Sequence, residues 1–76
     1  MNNIRRKAIG KIQEQLDELR STLQDVLDEE QECFDNIPEN LWGSERYEKA
    51  DEALENLTCA MESIEEAVNY LTEATE

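Results

Sequence analysis

Carboxylates are the dominant chemical group of this chain. Twenty Asp and Glu side chains stand against seven Lys and Arg and no His in 76 residues, a formal charge of −13. Paired carboxylates can hydrolyse glycosides, one as acid and the other as nucleophile or base, but only in a concavity that holds a sugar. A two-helix chain, the architecture read below, offers no such pocket. Di-metal helical bundles combine Glu with a Glu-x-x-His motif, which a chain without His cannot contain. The Asp/Asn-rich loop with a central Gly and a closing Glu that marks an EF-hand is also missing. The two thiols, Cys33 and Cys59, lack CxxC spacing, and no imidazole can activate either. The residue types point away from an enzyme, a metal or a cofactor.

Binding is the chemistry left. Negative charge of this size opposes direct contact with nucleic acid or an anionic membrane and favours a protein partner with a basic surface. The acids fall on both halves of the chain: Glu14, Asp17, Glu18, Asp25, Asp28, Glu29 and Glu32, then Glu48, Asp51, Glu52, Glu55, Glu62, Glu65, Glu66 and Glu73. One reading is an ordinary solvated helix surface. The other is a mimic of the nucleic-acid backbone that occupies a basic groove, with binding that weakens steeply in salt.

Two further groups carry a structural and a functional reading each. Arg5, Arg6, Lys7 and Lys11 form the one positive block. It either pairs with Glu65, Glu66, Glu73 and Glu76 across a hairpin, or serves as a docking patch. In an oligomer, several such blocks could line a pocket for an anionic ligand such as a nucleotide. Phe34, Trp42 and Tyr47 are three of the four aromatics and lie close together in sequence. They either plug a core or, with Arg46, form a binding tip, since Trp, Tyr and Arg are favoured at interface hot spots. The candidate partner-binding set is therefore Trp42, Arg46, Tyr47, Glu48, Asp51, Glu52, Glu55 and Glu62, and the candidate anion-binding set is Arg5, Arg6, Lys7 and Lys11.

The elements that position these groups follow from apolar spacing. Ile9, Ile12, Leu16, Leu19, Leu23 and Val26 recur at alternating intervals of three and four, a heptad seam. Glu30 and Cys33 come next on that seam, while Leu27 and Phe34 beside them take over the stripe, the drift expected of a 3.6-residue helix on a seven-residue repeat. A first helix over residues 3–35 follows, with Asn3 as cap and Gly10 as its weak point. Pro38 excludes helical geometry at Ile37, and Gly43 then Ser44 reads as a turn and an N-cap. The connector, 36–44, carries Ile37, Leu41 and Trp42, apolar enough to plug the hairpin end.

The second helix covers 45–75, with a seam of Tyr47, Ala50, Leu54, Leu57, Met61, Ile64, Val68 and Leu71 and a column of Ala53, Ala60, Ala67 and Ala74 beside it. A short connector makes the helices antiparallel, and a fold-back about residue 40 sets Leu16 near Ile64 and Leu23 near Leu57. Cys33 and Cys59 are then too far apart for a disulfide and sit near the seams as buried thiols. The fold class is all-α, one antiparallel two-helix hairpin, coiled-coil-like. Because a lone pair leaves part of each apolar stripe wet, it is expected to dimerise into a four-helix bundle, the alternative cover being a different partner protein. A basic N-terminus with no apolar stretch after it is not a signal peptide, and no apolar run is long enough to span a membrane. Both point to a cytoplasmic protein.

The stretches Arg5-Arg6-Lys7-Ala8, Asp28 to Leu41 and Gly43 to Lys49, with the Ala/Glu-rich helix from Ala50 to Ala74, resemble small proteins of unknown function from phages and prophages of Gram-positive bacteria. The connector carries the resemblance. Many members of that group have a polar residue at the position of Trp42 and an aliphatic residue or Ala at that of Cys33. The resemblance implies an inhibitor of host nucleic-acid machinery or immune defence, of the anti-CRISPR kind. The alternatives are a self-assembling structural module and an oligomeric sponge for an anionic signalling nucleotide.

Overall fold

The computed structural model describes Met1–Glu76 and is all-helical. Helix α1 covers Asn3–Asp35 and α2 covers Glu45–Ala74, with a single 3-10 turn at Glu39–Leu41 between them. The helices pack against each other along their length in a rod of 59 × 15 × 13 Å. Thirty-three residues at about 1.5 Å each give about 50 Å, so α1 alone sets most of the long dimension.

The ends of the helices are set by local chemistry. Asn2, not Asn3, caps α1: its side-chain oxygen accepts a hydrogen bond from the Arg5 backbone N–H at 2.9 Å. A residue already in helical geometry cannot act as the extended cap, and Asn2 has the extended ψ of 166° that a cap requires. At the other end of the connector, Gly43 takes φ +83°, a left-handed geometry that costs an L side chain. Ser44 then caps α2 by accepting from the Tyr47 N–H at 3.2 Å. Glu45 and Glu48 follow in the first turn of α2, where the helix dipole favours negative charge.

The core is thin. Leu54 and Met61 are the only buried residues, and each is still 8% exposed. The α2 seam is the one read from spacing: Tyr47, Ala50, Leu57, Ile64, Val68 and Leu71 are all half-buried around those two. The α1 seam is not. Ile9, Gln13, Leu16, Arg20, Leu23, Leu27 and Phe34 face the partner helix, all half-buried, while Ile12, Leu19 and Val26 turn outward, 45%, 60% and 43% exposed. Helix α1 carries an apolar stripe three columns wide, and one neighbour can cover only two of them. The column containing Gln13 and Arg20 is covered in preference to the more apolar one.

The register also departs from a simple fold-back about residue 40. Phe34 and Tyr47 keep it to within one residue. Gln13, however, donates to the Thr72 hydroxyl at 2.9 Å, and Arg20 pairs with Glu65 at 3.7 Å, each further along α2 than that centre allows. Side chains on a helix lean towards its N-terminus. In an antiparallel pair the two leans converge, so long side chains meet across an offset.

Candidate protein-binding surface

The candidate residues divide among three places. The hairpin end holds the aromatics. The Phe34 and Tyr47 rings lie 4.8 Å apart and those of Trp42 and Tyr47 6.3 Å apart. Trp42 anchors itself by donating its indole N–H to the Ile37 carbonyl at 3.0 Å. The plug is nonetheless partial: Ile37 and Tyr47 are half-buried, but Leu41 and Trp42 remain 47% and 56% exposed. The 3-10 turn is too short to fold both over the helix ends. It instead encloses a recess of about 380 Å³ lined by Phe34, Ile37, Leu41, Tyr47 and Ala50, with Glu30, Cys33 and Arg46 among its walls. A two-helix chain does therefore have a concavity, made by its connector.

The second place is the outer surface of α2. Glu48, Asp51, Glu55 and Glu62 fall on one edge of the helix, separated by three, four and seven residues. Glu65 continues that edge, and all five are exposed. Glu52 lies further round on the back of the helix, and Arg46 on the opposite edge, so the predicted set does not form one patch. The charge is largely uncompensated. Only Glu65 and Glu45 have a cationic partner, the latter being Lys49 at 3.3 Å within one turn of helix. Eighteen of the twenty acids have none.

The third place is the start of α1. Arg5, Arg6, Lys7 and Lys11 make no ion pair, and the expected bridges to Glu65, Glu66, Glu73 and Glu76 do not form; Arg20 takes Glu65 instead. Three consecutive residues on a helix point in directions about 100° apart, so within one chain these four cations are spread around α1 and do not converge on a pocket. The thiols are free as expected, but Cys33 and Cys59 are both exposed and not buried, because Cys33 shares the outward column of Ile12, Leu19 and Val26 and Cys59 lies on the back of α2.

What spacing did not reveal is an asymmetry between the two edges of the hairpin. Gln13–Thr72 and Arg20–Glu65 mark one edge, and Asp17, Asp51, Glu55 and Glu62 lie along it. The other edge brings Ile12, Leu19 and Val26 of α1 beside Ala53, Ala60 and Ala67 of α2. The signal was present in the seven-residue columns of both helices, but only the choice of α1 seam puts the two columns on one side. No group of Cys, Asp and Glu side chains converges to hold a metal ion, and no helix is long and apolar enough to cross a membrane. Compared with known proteins, the chain matches no protein-family model, no curated protein and no solved structure.

Proposed function

We propose that this chain is a non-catalytic interaction protein of the cytoplasm that occupies a basic groove on a nucleic-acid-handling or defence protein of a host cell and inhibits it by exclusion. The observation that carries the reading is the density of unpaired carboxylate on a narrow rod. Thirteen net negative charges over 59 Å is about one per 4.5 Å, against about 3.4 Å per charge along one strand of B-DNA. A groove built for a nucleic-acid strand meets a similar charge spacing here. The resemblance to small phage proteins supports the same reading. The hairpin end, with Trp42 exposed and Arg46 beside the recess, supplies an aromatic anchor of the sort that dominates interface energetics.

Capture of partners from host lysate tests the proposal. Binding is expected in low salt, weakening by more than tenfold at moderate salt because exposed charges are screened. Replacing Glu48, Asp51, Glu55 and Glu62 by Lys should abolish it while leaving helicity unchanged. Retention of the partner by the reversed-charge variant would refute the acidic face as the binding surface.

A second reading, a self-assembling helical module, is favoured by the outward aliphatic column on α1. The two are compatible: a homodimeric bundle can present carboxylates on its outer edges.

A further inference from the structure

We infer that the edge formed by Ile12, Leu19 and Val26 with Ala53, Ala60 and Ala67 is a self-association face. On it a second copy of the chain docks antiparallel, with Leu19 at the two-fold axis.

Three observations identify the occupant. The first is the deficit of burial. A chain of this size is marginal on its own, and this hairpin buries only Leu54 and Met61. It leaves Ile12, Leu19 and Val26 in water at successive seven-residue steps. The outline of that side, 59 Å by 15 Å, sets the upper limit on the contact and is of the size of the roughly 800 Å² per partner that a standard interface buries. The Ala column beside the aliphatic one lets a facing helix approach closely.

The second is where the acids are not. Two copies of a chain with charge −13 repel unless their carboxylates point away from the contact. On this edge α1 has no acid between Arg5 and Val26 in the outward column or in the neighbouring Gln15 and Thr22. On α2 the Ala column is flanked by Asn56, Ser63 and Tyr70. Charge excludes self-association on the opposite edge, where Asp51, Glu55, Glu62 and Glu65 lie, and permits it here.

The third sets the orientation. Four of the seven bases lie in the first eleven residues, at the open end of the hairpin, and none has an ion-pair partner. Eleven of the twenty acids lie between Asp25 and Glu52, around the closed end. A parallel pair would set acidic end on acidic end. An antiparallel pair sets each basic end against the partner's acidic end. Leu19 is the midpoint of α1, so Leu19 then meets the partner's Leu19, Ile12 meets the partner's Val26, and Arg6 comes level with the partner's Glu32.

Sedimentation equilibrium on the full chain is the first test. Twice the 8.8 kDa chain mass is expected for the wild type at micromolar concentrations and above. Leu19→Lys should halve it with the helical circular dichroism retained, since Leu19 is 60% exposed within one hairpin. Should that variant unfold instead, cysteine linkage decides. With Cys33 and Cys59 both changed to Ser, Leu19→Cys should form a covalent dimer on mild oxidation, and Ile12→Cys should not. A monomeric wild type overturns the proposal, including one whose aliphatic edge captures some other protein. So does linkage through Ile12→Cys as readily as through Leu19→Cys, the mark of a parallel pair. All of these measurements use the chain alone, so they stand apart from whether a basic partner exists.

Discussion

Phe34 and Tyr47 clasp the closed end of the hairpin, their rings 4.8 Å apart and tilted by 32°. Phe34 belongs to the last turn of α1 and Tyr47 to the first turn of α2. The contact therefore ties the two helices together at the point where the chain reverses. Ser44 fixes the backbone of Tyr47 by accepting its N–H, which aims the ring back at α1.

Removing that ring should loosen the hairpin. Tyr47→Ala is expected to cost about 2 kcal/mol, less than truncation of a fully buried aromatic because Tyr47 is half-buried. Tyr47→Phe keeps the ring and should stay within about 0.5 kcal/mol. Urea unfolding at one fixed protein concentration reads both, since association would make the midpoint concentration-dependent.

The turn into α2 makes a separate prediction. Gly43 has φ +83° with open space around a would-be Cβ, so Gly43→Ala meets backbone strain and not a steric clash. It should lose about 1 kcal/mol. Ser44→Ala removes the cap and should lose about 1 kcal/mol as well. The two act on adjacent peptide units, so the double variant should fall short of additivity. Thermal unfolding of the three variants is the check.

Gly10 behaves in the opposite way. Helix α1 runs unbroken through it, and a methyl group at this position would have nothing within 4 Å. Gly10→Ala should therefore gain up to about 1 kcal/mol from helix propensity alone. A rise in the urea midpoint with an unchanged slope is the expected result.

Cys59 should report directly on the surface. It is free and exposed, on the back of α2 near Glu55, Glu62 and Glu66. In a Cys33→Ser background, a neutral maleimide should label it completely in native buffer. An anionic disulfide reagent should react more slowly at low salt and recover as salt is added, because the neighbouring carboxylates repel it. Protection of the thiol until the chain is unfolded would contradict the placement of Cys59.

The seam of α2 was legible: its large apolar residues line one face centred on Leu54 and Met61. The break at Pro38 and Gly43 and the cap at Ser44 were legible too: each depends on chemistry within a few residues. Helix α1 was legible as a helix and in half of its packing surface: Ile9, Leu16 and Leu23 face α2 as read, with Leu27 and Phe34 beside them, while Ile12, Leu19 and Val26 do not. Ile12, Leu19 and Val26 compose a better heptad than Gln13, Arg20 and Leu27, and by spacing alone the better heptad wins. The surroundings of the basic block and of Cys33 were illegible as a consequence, since their expected neighbours depended on the α1 seam and on a fold-back about residue 40; Cys59, two residues from both Leu57 and Met61, is off the α2 seam by spacing alone.

Periodicity, proline, glycine and caps act through neighbours in the chain, and by themselves they determined two helices, one reversal and an outside rich in carboxylate. Which columns of α1 would be covered was decided only in three dimensions. There the Phe34 and Tyr47 rings meet across the reversal, and the leaning side chains of Gln13 and Arg20 reach Thr72 and Glu65. A helix with three apolar columns has no local reason to prefer one, and the choice falls to the packing of residues that are far apart in sequence.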